Sequence, residues 1–199
     1  LSAEIAAREA STDGIAWTYS PMVDICRDAR WGRIAEGNGE DPWLSGLLGR
    51  AYVQGWQGDD LSDKQTLMAC LKHYALYGAA ESGRDYNTTD MSENRMFNEY
   101  LLPYQMCVEA GVGSVMTSFN DINGTPATAN RWLQNDVLRD KWNFDGFIVT
   151  DYGAIREMKA HGLGGDDVVT ERALDATVDM DMCSELYITQ LEKLLNEKR

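Results

Sequence analysis

Long apolar runs are missing from this chain: no stretch approaches the roughly 20 residues of a membrane span, so no membrane partner is expected. Runs of Lys or Arg are missing as well. With 18 basic against 32 acidic residues, the formal charge is −14. Such a surface repels nucleic acid and anionic lipid and leaves neutral or cationic partners, sugars among them. The four cysteines, Cys26, Cys70, Cys107 and Cys183, lack the paired spacing of a metal site, and no metal or cofactor is expected. Cys70 and Cys183 lie in apolar contexts and read as small core residues. No basic n-region precedes an apolar run, so no signal peptide is read in these residues and the compartment stays unassigned. There are no repeats at solenoid periods and no low-complexity segment.

What is present is an alternation of short apolar runs and amphipathic stretches, which argues for a parallel sheet with crossover helices. Five runs read as strands: Ile15–Tyr19, Leu67–Tyr74, Ser114–Phe119, Gly146–Val149 and Val178–Met182. Helices are expected over Leu1 to about Thr12 and behind the Asp41-Pro42 cap, with Leu44, Leu47, Leu48, Ala51 and Gly55 at helical spacing as its apolar stripe. Another is expected behind a cap at Asp90, with Phe97, Leu101, Tyr104 and Val108 on one stripe and Pro103 kinking or splitting it. Thr128 is read as the cap of the helix carrying Trp132, Leu133, Val137 and Leu138. Two more follow, over about Glu171 to Ala176 and through Leu186 to Leu195. Five strand-helix units in 199 residues predict an α/β fold that is an incomplete (β/α)8 TIM-type barrel, since a complete one takes about 250 residues.

The run ending Ile148-Val149-Thr150-Asp151-Tyr152-Gly153 delivers a carboxylate to a strand's carboxyl end, where parallel α/β folds place their chemistry. Right-handed winding brings Lys72-His73 and Met116 to Phe119 to the same face, and the loop after the first strand adds Arg33. A carboxylate among cationic and hydrogen-bonding groups, without a nucleotide fingerprint, suits a polyol. Hydroxyls need several donors and acceptors, and an oxocarbenium-like centre needs a nearby anion. Each residue also has a plainer reading: Asp151 as a cap, Lys72 as a surface lysine, His73 as a satisfied core histidine, and Met116 as core. Arg33 could likewise serve only to tie its loop to Asp28 or Glu36.

In order along the chain, Asp24-Ile25-Cys26-Arg27-Asp28-Ala29-Arg30-Trp31-Gly32-Arg33, Glu40-Asp41-Pro42, Lys72-His73-Tyr74 and Gly146 to Tyr152 resemble the motifs of glycoside hydrolase family 3. Lys72 to Ala80 continuing to Gly83-Arg84-Asp85-Tyr86-Asn87 is similar to its bacterial, periplasmic-type β-glucosidase branch. The resemblance implies a retaining, exo-acting β-glucosidase whose substrate is a β-glucoside or oligosaccharide, with a β-xylosidase as the alternative. It implies Asp151 as catalytic nucleophile. Arg33, Lys72, His73 and Met116 would contact the nonreducing sugar, and Tyr152 would face the aglycone. It also implies that residues 1–199 are a partial catalytic barrel. The first strands and a downstream α/β sandwich domain bearing the acid/base Glu would lie outside them, in a periplasmic or secreted parent protein. The Asp-His dyad of the family's N-acetylhexosaminidases has no counterpart, because Tyr74 to Gly78 holds no histidine and the only other one is His161. Two further readings stay open: a Schiff-base aldolase or lyase using Lys72, and a sugar-binding fragment without turnover.

Overall fold

The computed structural model describes residues 1–198. Three parallel strands, β1 (Cys70–Tyr74), β2 (Ser114–Thr117) and β5 (Phe147–Val149), lie side by side in that order. Register sets Cys70 against Ser114, Val115 against Ile148 and Met116 against Val149. Alternation does the rest: Leu71, Val115 and Ile148 point into the main core, while Cys70, Met116 and Val149 point the other way and pack with Trp17, Phe147 and Met182. The second set fills the concave side of the arc.

The outer two expected strands are present as flanking segments without regular ladders. Along β1, Met68 N–H donates to Ala16, Cys70 N–H to Ser20, and Lys72 N–H to Pro21, while Val23 N–H returns to Lys72. Bridges form only at Trp17–Met68 and Met22–Lys72, because Pro21 has no N–H to give. On the other side Met180 bridges Val149 alone. There the Asp179 carboxylate takes the Ile148 N–H at 2.7 Å and the Thr150 hydroxyl takes the Met182 N–H at 2.8 Å, so side chains replace ladder bonds. Five segments in chain order therefore make an open barrel arc.

Helices α1 (Ser2–Thr12) and α2 (Pro42–Gln57) precede β1. Asp41 caps α2 by accepting the Leu44 N–H at 2.7 Å, as its sequence suggests. Its buried face is not the leucine stripe, however. Ser45, Gly46, Gly49, Val53 and Gln57 face inward, whereas Leu44, Leu47 and Leu48 are exposed. Gly46 and Gly49 allow close approach: a Cβ on Gly46 would sit 2.3 Å from the Met106 sulfur, and one on Gly49 2.6 Å from that of Cys107. Gln57 then stitches the base of the arc, accepting from Ala69 and Gly113 and donating to Gly111.

The next helix is split as Pro103 requires. α3 (Glu93–Arg95) leads into a π-helical turn, Met96–Tyr100, and α4 (Leu102–Val108) resumes after it. Leu101 N–H reaches back five residues to Met96 at 2.7 Å. Ser92, not Asp90, provides the cap, accepting from Arg95. The Asn123-Gly124 turn joins a short hairpin, β3 (Asp121–Ile122) and β4 (Thr125–Pro126). The π-helical segment Trp132–Lys141 is capped by Asn130, whose side chain accepts the Leu133 N–H. Thr128 does not cap it; its hydroxyl is spent on Thr117 and Ser118. α5 (Ala154–Glu157), α6 (Asp166–Asp175, longer than the expected 171–176) and α7 (Leu186–Asn196) complete the chain. Cys70 is buried as expected. Cys183 is exposed, because it falls at a left-handed turn (φ 64°) just past the Val178–Met182 segment.

Candidate active site

The carboxyl ends of β1 and β5 place His73 and Asp151 side by side. His73 Nε2 lies 3.5 Å from Asp151 Oδ2 and 3.4 Å from an Arg33 Nη2. Asp151 follows directly on Thr150, whose backbone and hydroxyl are both tied to the Met180–Met182 segment, so the β5 terminus is fixed from its outer side. The other carboxylate oxygen, Oδ1, accepts the Tyr152 N–H at 2.6 Å. Oδ2 is the oxygen that faces His73. Tyr152 itself is 70% exposed, standing out beside the carboxylate.

Arg33 arrives from the loop that leaves the first segment. Asp28 caps a 3-10 turn, Ala29–Trp31, and Gly32 follows at φ 85°, which returns the chain toward the strand ends. The guanidinium is fork-bonded to Glu36, Nε to Oε1 at 2.7 Å and Nη2 to Oε2 at 2.8 Å, and lies over the rings of Trp31 and Tyr77. The Glu36 bonds push the Arg33 pKa further up against desolvation. Conversely, Arg33 first, and then the charge of Lys72, hold Glu36 below the ordinary carboxylate range. Lys72 is half-buried on the same strand face as Cys70, whose thiol is pushed up to about 12, chiefly by burial and in part by Asp151, with Ser114 and Lys72 opposing. Met116 is buried between Cys70 and Val149, beneath the strand ends.

Two groups that the sequence reading left without a role prove central. Asp24 is buried, and its Oδ2 accepts the backbone N–H of His73 (2.9 Å) and lies 3.0 Å from its Nδ1. Its Oδ1 lies 2.9 Å from the Tyr104 hydroxyl, which is 2.6 Å from the His73 carbonyl. An acid inside the apolar run Met22-Val23-Asp24-Ile25 was the available signal. The second is Asp85, which accepts from Trp31 Nε1 at 3.0 Å and from the Tyr77 hydroxyl, so an aromatic wall of Trp31, Tyr77, Tyr86 and Phe119 is fastened beside Arg33. The loop that carries Arg33 encloses a cavity of about 230 Å³, with Asp24, Trp31 and Arg33 in its walls. No three His, Cys, Asp or Glu side chains among the described residues are grouped so as to hold a metal.

A parallel strand-and-helix barrel arc thus gathers a carboxylate, an imidazole, a lysine and a guanidinium near its strand ends. The chain belongs to glycosyl hydrolase family 3: the model of that family's N-terminal domain matches residues 2–198. It is 47% identical over 192 residues to a periplasmic beta-glucosidase of Salmonella typhimurium, covering 96% of this chain and 25% of that protein. A beta-xylosidase of Formosa agariphila is 41% identical over 183 residues, 88% of this chain and 25% of that protein. Among solved structures, the beta-glucosidase of Listeria innocua in complex with glucose superposes with a TM-score of 0.95 at 43% identity, covering 98% of this chain and 28% of that one. The chain thus spans about a quarter of the length of these relatives.

Proposed function

We propose that this chain is the nucleophile-bearing part of a retaining, exo-acting β-glucosidase, in which Asp151 attacks the anomeric carbon of a terminal β-glucosyl unit. The observation that carries the reading is the juxtaposition of Asp151 Oδ2 and Arg33 Nη2 on either side of His73 Nε2, at the carboxyl ends of β1 and β5. In this scheme Oδ2 forms a bond to C1 as the C1–O bond to the aglycone breaks, and the departing oxygen takes a proton from a general acid. Water then cleaves the glycosyl ester, so two inversions give net retention. Arg33, Lys72 and His73 hold the sugar hydroxyls, Met116 closes the floor of the subsite, and Tyr152 meets the aglycone. Two acids beside the site are already engaged: Glu36 is paired with Arg33, and Asp85 is held by Trp31 and Tyr77. The acid/base is assigned to a Glu outside residues 1–199, in an α/β sandwich domain that completes the barrel's substrate pocket.

The test uses the intact polypeptide that carries this chain. A 2-deoxy-2-fluoro β-glucoside is expected to label Asp151, found by peptide mass spectrometry, and Asp151→Asn to abolish both labelling and turnover. Labelling at another residue overturns the assignment. The β-xylosidase relative makes the pentose the competing substrate. The same assay with matched aryl glucoside and xyloside decides it, with the glucoside expected to show the higher kcat/KM.

A further inference from the structure

We propose that Asp24 is a positioning residue that fixes the tautomer of His73 and thereby leaves the attacking oxygen of Asp151 unengaged. An ionised carboxylate can only accept, so the 3.0 Å contact of Asp24 Oδ2 with Nδ1 makes Nδ1 the protonated nitrogen of the neutral imidazole. The same oxygen holds the His73 backbone N–H, which ties the ring to its own main chain and prevents a flip that would exchange the two nitrogens. The Tyr104 hydroxyl, shared between Asp24 Oδ1 and the His73 carbonyl, braces the arrangement from α4. The Tyr77 ring packs edge-on at 5.2 Å.

What then faces the site is a bare Nε2. Its one lone pair can accept from Arg33 Nη2, 3.4 Å away, or in that donor's place from a sugar hydroxyl. The opposite tautomer would aim an Nε2–H at Asp151 Oδ2, only 3.5 Å away, and draw off the lone pair that must reach carbon. Asp151 Oδ1 is already committed to the Tyr152 N–H, so Oδ2 is the oxygen worth protecting. The catalytic part of this inference rests on Asp151 being the nucleophile; the tautomer part does not.

Long-range proton–nitrogen NMR of the intact polypeptide at about pH 8, where an ordinary histidine is neutral, separates the two parts. His161→Gln identifies the His73 signals. The wild-type protein is expected to show a protonated Nδ1 and a bare Nε2. Asp24→Asn should keep that signature, because its amide oxygen can serve both His73 donors while its N–H₂ turns to Tyr104, and turnover should fall only modestly. Asp24→Ser is too short to reach the ring. Its spectrum should move toward Nε2–H, and kcat should fall about 10²-fold with KM little changed, the size expected of a misplaced catalytic group. A wild-type spectrum showing Nε2–H or an imidazolium overturns the proposal even if Asp24→Ser fails to fold, and so does an Asp24→Ser protein with unaltered tautomer and kcat. A wild-type protein with the expected tautomer that cleaves no β-glycoside supports the tautomer lock and refutes the glycosidase reading instead.

Discussion

Arg33 bears out the plainer of its two readings, the tie to Glu36, and also reaches toward the strand ends. It ties its loop to Glu36 with a two-pronged bond, and the same Nη2 reaches the nitrogen of His73. A lysine would keep the charge but lose the planar fork and the stacking on Trp31 and Tyr77. Arg33→Lys is therefore expected to weaken sugar binding nearly as much as Arg33→Ala, by about 10-fold or more, given ~1.5–3 kcal/mol for a hydrogen bond to a charged group. Calorimetry with glucose on the intact polypeptide checks it; a lysine variant that binds as wild type would show that charge alone suffices. At this scale the meeting of His73, Asp151 and Arg33 was legible because their type limits what they can do near a strand end, whereas the aromatic wall of Trp31, Tyr77, Tyr86 and Phe119 was not read. Asp24 was harder to read, since its partners, His73 and Tyr104, lie 49 and 80 residues away.

Among the elements, the β-branched run before Asp151 read clearly, and so did the strand endings at Lys72-His73 and Met116. The outer two segments were found but not their irregularity, which comes from Pro21 on one side and from Asp179 and Thr150 substituting for ladder bonds on the other. Helix α2 misled the pattern reading for a different reason. Its contact with α4 is made through Gly46 and Gly49, residues that carry no hydrophobic signal yet let two backbones come together. A similar closeness sets the spacing of two strands. A Cβ on Gly146 would sit 2.2 Å from the Gly113 carbonyl oxygen, a backbone atom that cannot swing aside. Gly146→Ala should destabilise the fold by about 1–3 kcal/mol, measured as a shift in denaturant midpoint at unchanged slope. Because β5 carries Asp151, activity should fall with it.

For the molecule as a whole, buried thiols give stability a dependence on alkaline pH. Burial pushes Cys70 and Cys107 up to about 12, while an unfolded cysteine ionises near 8.5. Between those values the folded chain holds more protons than the unfolded one, so stability must fall as pH rises. Melting temperature is expected to decline progressively from about pH 8.5 upward, and Cys70→Ala with Cys107→Ala should flatten that slope. A decline of equal steepness in the double variant would assign the effect to other groups, Tyr187 being the next candidate, since burial raises its phenol too.

Of the four thiols, Cys26, Cys70 and Cys107 are buried and Cys183 alone is exposed. It follows Met182, whose N–H is held by the Thr150 hydroxyl and whose carbonyl takes the Gly153 N–H, so it stands on the peptide that brackets Asp151. A maleimide dye is accordingly expected to modify the native protein once, at this position, and the other three sites only in denaturant, as counted by intact mass. The molecule thus comes with an attachment point for a fluorescent reporter on the segment that brackets Asp151, and binding beside that residue could be followed optically without introducing a single new side chain.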